Sequence, residues 1–224
     1  MKAMILAAGR GSRMGDLTNV TPKPLTRISN TTLIEKNIKN IRKSGIKEII
    51  INVSWLGDKI INHLGDGNKY DVNIYFSDEG KDMLGTGGGI LRALDLLDKD
   101  PFWLVNADLF CDFSIDIKKT LINDDLAHLV LVDNPEHHPD GDFLLKNGRV
   151  SVCNKSMPLT FSGISLISPK IFKNINKKVF PLEPILKKYA SQNKISGEHF
   201  KGTWIDVGTK KRLRDTEYEL SKKL

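Results

Sequence analysis

The sequence has almost no cysteine: Cys111 and Cys153 are its only two, far apart and without a CxxC partner. That excludes a disulfide-stapled scaffold and argues against structural zinc. It suits a reducing compartment, where both thiols are expected as small buried hydrophobes. Long apolar runs are missing as well. No stretch approaches the roughly 18 uninterrupted apolar residues of a membrane-spanning helix. The run Ala3 to Ala8 behind Lys2 meets glycines too soon for the core of a secretion signal. A soluble, cytoplasmic protein with no membrane partner is expected. Repeats and low-complexity segments are absent, including any C-terminal hexapeptide array. Acidic residues are the minority, 27 against 34 basic, for a formal charge of +7, and the excess is densest at Lys210, Lys211, Arg212 and Arg214. No RNA-binding aromatic motif or helix-turn-helix accompanies these cations, so they read as a solvated helix face and no nucleic-acid partner is expected. The modest positive balance suits small polyanionic substrates.

What is present alternates. Its 224 residues suffice for one well-cored domain. Short β-rich apolar runs and helical patterns follow one another, the signature of βαβ units. Strands are predicted at Met4 to Ala7, Glu48 to Val53, Val72 to Phe76 and Phe102 to Val105. Helices are predicted at Thr32 to Ser44, Gly57 to Leu64 and Gly88 to Leu97. After about Asp125 strands dominate, at Ala127 to Val132, Asp142 to Leu145 and Leu159 to Ile167. The fold class expected is α/β: one Rossmann-like, doubly wound, mostly parallel but mixed sheet with a small extension covering the substrate.

The first strand runs into Ala8-Gly9-Arg10-Gly11-Ser12-Arg13-Met14. Strand, glycine-rich loop, helix is where α/β sheets hold phosphates, because free loop amides point past the strand's C-terminal end. The loop is not a dinucleotide fingerprint, since Met14 occupies the third glycine position, and no GK[ST] makes it a Walker A loop. It offers close backbone approach plus the planar fork of Arg13. Next comes Thr21-Pro22-Lys23-Pro24-Leu25, where two prolines restrict the backbone around one lysine.

Together with Gly85-Thr86-Gly87-Gly88-Gly89 and Trp204-Ile205-Asp206-Val207-Gly208-Thr209, these motifs resemble, in order and spacing, the sugar-phosphate nucleotidyltransferase superfamily. The resemblance covers nearly the whole chain and implies, within the single domain, a nucleotide-binding half at residues 1–124 and a sugar-binding half at 125–224. Within the superfamily, INVSWLGDKI, LVNADLFCDF, LAHLVLVDNPEHHPDGDF, LTFSGI and ISGEHFKGTWIDVGT resemble the N-acetylmuramate 1-phosphate uridylyltransferases. The resemblance implies small-molecule partners, a nucleoside triphosphate and a sugar 1-phosphate, with Mg²⁺ as cofactor and pyrophosphate released. It implies that Arg13 and the amides of Gly11 and Ser12 hold the triphosphate, with Gly87 and Gly88 against the nucleotide, and that Lys23 stabilises charge at the α-phosphate. Asp108 and Asp206 match the family's metal pair. Asn106, Asp142, Ser162 and Glu198 fall on the sugar side. Two positions depart from the pattern: Asp16 stands where proline is common, and Gly85 where glutamate is frequent. Other readings are a mannose- or heptose-1-phosphate guanylyltransferase, a glucosamine-type enzyme, or a nucleotide-sugar sensor without turnover.

Three further features carry ordinary readings. His137 and His138, near Asp133 and Asp140, lie in a polar turn and are not read as a zinc site. Trp55 and Trp103 are assigned to core packing. Ser162 lacks the GxSxG context of a nucleophile.

Overall fold

In the computed structural model, which describes residues 1–152 and 158–221, the chain is built around one mixed sheet of nine strands. Cys153 lies outside the described residues; Cys111 is buried, and burial pushes its thiol up to about 11. The first half supplies β1 (Ala3–Leu6), α1 (Leu17–Val20), the hairpin strands β2 (Arg27–Ile28) and β3 (Thr31–Thr32), and α2 (Leu33–Lys43). It continues with β4 (Glu48–Val53), α3 (Gly57–Leu64), β5 (Asn73–Asp78), α4 (Gly85–Leu97), β6 (Phe102–Asn106) and β7 (Leu109–Cys111). The second half adds β8 (Ala127–Val132), β9 (Phe143–Lys146), β10 (Arg149–Val152), β11 (Thr160–Ile167), α5 (Glu183–Ser191), β12 (Ile195–His199), β13 (Trp204–Asp206) and α6 (Lys210–Ser221).

Sheet order is β5-β4-β1-β6-β11-β8-β12-β10-β9. The β5-β4-β1-β6 block is parallel throughout, and β11 enters antiparallel between β6 and β8. Period-two alternation assigns each strand's side chains to two layers. Ala3, Ile5, Ile49, Ile51, Trp103 and Val105 face α2 and α3, while Met4, Ile50, Phe102 and Leu104 face α4 and α5. Residues covered on both faces explain why these strands read as near-continuous apolar runs.

Element ends shift by a few residues from the sequence reading, and α4 begins at Gly85 rather than Gly88. The strands of the second half join the same sheet, and the small sheet beside it is β13 paired with β7. Helix α5 is missing from the sequence reading; its Pro184 lies in the first helical turn, where the amide needs no partner and proline is tolerated. No helix among the described residues is long and apolar enough to cross a membrane.

Candidate active site

From β1 the chain travels outward to β4 and β5, then returns to the other side of β1 at β6. This reversal leaves a crevice beyond the carboxyl ends of β1 and β6, the usual ligand position in open α/β sheets. A cavity of about 520 Å³ fills it, within the usual range for small-molecule sites. Its walls come from Leu6 to Gly9, Gly11 to Arg13, Lys23, Asn106 to Asp108, and Gly85 with Thr86.

The glycine loop is held by its own hydrogen bonds. Gly11 has φ of 67°, and a Cβ there would lie 3.0 Å from both Lys23 Cβ and Thr18 Cγ2, so a side chain is excluded twice over. The Thr18 hydroxyl donates within 3.2 Å of the Gly11 carbonyl and 3.0 Å of that of Gly15. Pro22 is extended, and Lys23 opens a short 3₁₀ turn, which carries its side chain inward. Lys23 is buried, and its ammonium donates to Asp108 Oδ2.

Asp108 and Asp206, nearly a hundred residues apart, converge because β7 pairs antiparallel with β13 in a register that sets Leu109 opposite Asp206. The Val207 amide donates to the Asp108 carbonyl at 3.0 Å. Asp206 Oδ2 accepts from Arg212 at 2.7 Å, while Asp206 Oδ1 is buried and has no hydrogen-bond partner. A buried carboxylate oxygen left unpaired is costly. A hard cation would satisfy it, and such a cation needs only one or two protein carboxylates when phosphate oxygens and water complete its shell. The donor set therefore fits a metal held by Asp108 and Asp206. Among the described residues no group of three or more His, Cys, Asp or Glu could hold one by itself.

Asn106 lines the cavity, but the other predicted sugar-side residues do not. Ser162 is buried in β11, where its hydroxyl accepts from the Ile164 amide at 3.1 Å. Glu198 points to Lys119 at 3.1 Å and His128 at 2.9 Å; the His128 bond, acting against burial, holds its carboxyl at about 2. Asp142 accepts from the Phe161 amide at 2.8 Å and pairs with His138 at 2.9 Å, tying the 133–142 loop to β11. Gly87 and Gly88 do not line the cavity either. Their amides donate to the Phe180 carbonyl, and their Cα positions press against the 178–180 segment, so Gly85 and Thr86 meet the cavity instead.

Several participants went unnoticed in the sequence. Asn52 and Glu79 form a buried chain: Ala7 N donates to Asn52 Oδ1 at 2.8 Å, Asn52 Nδ2 to Glu79 Oε1 at 2.6 Å, and Leu84 N to Glu79 Oε2 at 2.9 Å. Both side chains line the cavity, and a Cβ on Gly89 would collide with the pair. The available signal was one asparagine inside the apolar strand Glu48 to Val53. Trp55 is not core. Its indole donates to the Thr18 carbonyl at 2.9 Å, and the Arg10 guanidinium lies 4.5 Å from its ring centroid. Trp103 is fully buried as expected. Arg212, read as part of a solvated face, instead binds Asp206 and His137 Nε2, the latter at 2.6 Å. Burial and Arg212 together lower the basicity of His137.

Residues 2–140 match the family model described as nucleotidyl transferase. The chain is 44% identical to the N-acetylmuramate alpha-1-phosphate uridylyltransferase of Neisseria meningitidis serogroup B, with 97% of each chain covered. This chain belongs to the nucleotidyl transferase family. A protein of the same name from Caulobacter vibrioides is 29% identical, over 92% of this chain and 91% of its own. The fold matches a Bacillus anthracis structure described as a glucose-1-phosphate thymidylyltransferase, with a TM-score of 0.83 at 21% identity, covering 98% of this chain and 94% of that one. Nucleotidyltransferases of this kind generally use a divalent metal.

Proposed function

We propose that this chain transfers UMP from UTP to N-acetylmuramate 1-phosphate, releasing pyrophosphate, in the cytoplasm and with Mg²⁺. The observation that carries the reading is a buried lysine paired with Asp108 in the cavity of the glycine loop, with strand pairing bringing Asp206 alongside, in a chain 44% identical to an N-acetylmuramate alpha-1-phosphate uridylyltransferase. A phosphate oxygen of the sugar 1-phosphate attacks the α-phosphorus of UTP. A new phosphorus–oxygen bond forms, the bond to the β-phosphate oxygen breaks, and its electron pair leaves with pyrophosphate. The attacking oxygen is already anionic, so no general base is needed; the barrier lies in bringing two anions together.

Each cavity group has a task in that problem. Arg13 and the amides of Gly11 and Ser12 hold the triphosphate. Lys23, directed by its hydrogen bond to Asp108, offsets charge at the α-phosphate. Asp108, in the cavity lining, and Asp206, brought alongside by strand pairing, would hold the metal, which would neutralise phosphate charge. Asn52 and Glu79 brace the wall that receives the nucleoside, and Asn106 lies between nucleotide and sugar. The test is pyrophosphate release across four nucleoside triphosphates and a panel of sugar 1-phosphates. Highest kcat/KM for UTP with N-acetylmuramate 1-phosphate is expected. Highest turnover for GTP with mannose 1-phosphate would make it a guanylyltransferase, and no pyrophosphate with any pair would make it a sensor.

A further inference from the structure

A second concavity, about 640 Å³, shares no lining residue with the substrate cavity. The β2–β3 turn, one side of α2, Tyr70 and Phe110 enclose it. Its lining contains four cations, Lys36, Lys39, Arg42 and Lys43, and no acidic residue. Arg42 is committed to Asp71. Among the described residues, Lys36, Lys39 and Lys43 form no salt bridge.

The three lysines follow i, i+3, i+7 spacing, which aligns them along one stripe of α2 facing the concavity. Like charges three and four residues apart on a helix oppose each other and cost stability when unmatched. Lys36 is the most confined of them: its ammonium sits 4.3 Å from the Phe110 ring centroid. Burial first, and the Lys43 charge second, depress its pKa, the signature of a cation lacking a counter-charge, although Asp112 outside the lining partly compensates. A solvated lysine face has no reason to be concave, aromatic-floored and free of acids.

We propose that this concavity binds a phosphorylated small molecule, its phosphates held by Lys36, Lys39 and Lys43 and its apolar part resting against Tyr70 and Ile28. Charge-assisted bonds from ammonium groups to phosphate oxygens are the strong kind, and polar atoms of Ser29, Asn30 and Asn40 complete the lining. A cavity of this size accepts a sugar phosphate or a nucleotide, whereas a flat or convex basic face would suit a membrane or a nucleic acid. The position also reaches the active site. Asn40, in the lining, donates to the Cys111 carbonyl at 2.8 Å, and Asn37, from the same helix, to that of Leu109 at 3.2 Å. Phe110 pairs with Ile205, next to Asp206. An occupant therefore bears on the strand pair that carries Asp206 and directly follows Asp108.

The test follows backbone amide signals of the isotopically labelled full chain by NMR, without metal and at low salt, during titration with inorganic pyrophosphate. Amides of residues 28–31 and 36–43 should shift along one saturation curve, distinct from that of Gly11 and Ser12. Lys36→Ala combined with Lys39→Ala should weaken the first curve at least tenfold and leave the second unchanged; unmoved β1 and β4 signals verify the fold. Shifts confined to the glycine loop overturn the proposal, as do cavity shifts indifferent to the two substitutions. A parallel arm uses phosphatidylglycerol vesicles: lysine-dependent sedimentation, with cavity amides unmoved by soluble phosphate, assigns the patch to a membrane and overturns the proposal too.

Discussion

Lys23 is a tightly constrained charge in the substrate cavity, buried, braced by flanking prolines and paired with Asp108. In the proposed reaction its charge would matter most as phosphate charge redistributes in the transition state. Lys23→Ala is therefore expected to lower kcat by at least about a hundredfold, the effect of losing one preorganised electrostatic group, with a smaller change in KM. Steady-state kinetics at saturating metal check this, and a raised KM with kcat intact would remove the role. Asp108 and Asp206 should behave as one unit. Each Asp→Asn change is expected to abolish most activity, and the double variant to be scarcely worse than either single, because groups serving one ion do not contribute independently. Multiplicative losses at saturating Mg²⁺ would show that they do not share a site. Lys23, Asp108 and Asp206 stand out in the sequence through the motifs around them, but that Lys23 meets Asp108 and that Asp206 comes alongside is the work of the fold. Ser162, Glu198, Gly87 and Gly88 occupy matching segments too, but segment identity does not say where a side chain points. In β11 a register shift accompanies the buried Ser162, and the amides after Gly85 were already claimed by the Phe180 carbonyl.

At the level of elements, α2 links the two cavities and is also the best-capped helix. Thr32 Oγ1 accepts from the Glu35 amide, and the Glu35 carboxylate accepts from the Thr32 amide at 2.9 Å, a reciprocal capping box. Burial alone would raise the Glu35 pKa, but the Thr32 amide, the Tyr70 hydroxyl and the Thr32 hydroxyl outweigh it and hold the value at about 2, below the ordinary 4.5. A depressed folded-state pKa means that the contribution is complete above about 4.5 and fades as pH falls toward about 2. Glu35→Gln should therefore flatten the stability profile between those limits, as read by denaturant midpoints, while leaving its shape above pH 5 unchanged. Thr32→Ala should cost about 1 kcal/mol at neutral pH. An unaltered acid limb in the Glu35 variant would sink the capping account. Long amphipathic and fully buried elements such as α2 and β4 could be read from periodicity, since tertiary packing agrees with local pattern there. The two- and three-residue strands could not. β7 and β13 exist only because residues nearly a hundred positions apart pair, a non-local event without period in the sequence.

For the whole molecule, the question is how one sheet discriminates between sugars that differ at a single substituent. N-acetylmuramate 1-phosphate carries a lactyl ether, ionised at neutral pH, that N-acetylglucosamine 1-phosphate lacks. Accepting it requires room and a matching charge. The 133–142 loop lies outside the cavity lining but is tied to Asp206 through His137 and Arg212. Asn134 clamps it by donating to the Pro139 carbonyl at 2.9 Å and the Pro158 carbonyl at 3.0 Å, and by accepting from Thr160 at 2.8 Å. Asp142 secures its far end, and His137 connects it through Arg212 to Asp206. A loop braced this firmly presents a fixed shape, and the Arg13 and Arg212 charges both reach His137. The formal charge of +7 adds a weak, salt-screened attraction for the more anionic substrate. A site shaped for the shorter sugar would reject the longer one sterically, whereas a muramate site loses only part of its contacts with glucosamine. With UTP as donor, kcat/KM should therefore favour N-acetylmuramate 1-phosphate by roughly tenfold or more, about 1.4 kcal/mol. The preference should shrink as salt rises, because its charged part is screened. In direct competition assays, an equal or reversed preference would end the muramate assignment and leave the transferase chemistry of the cavity untouched.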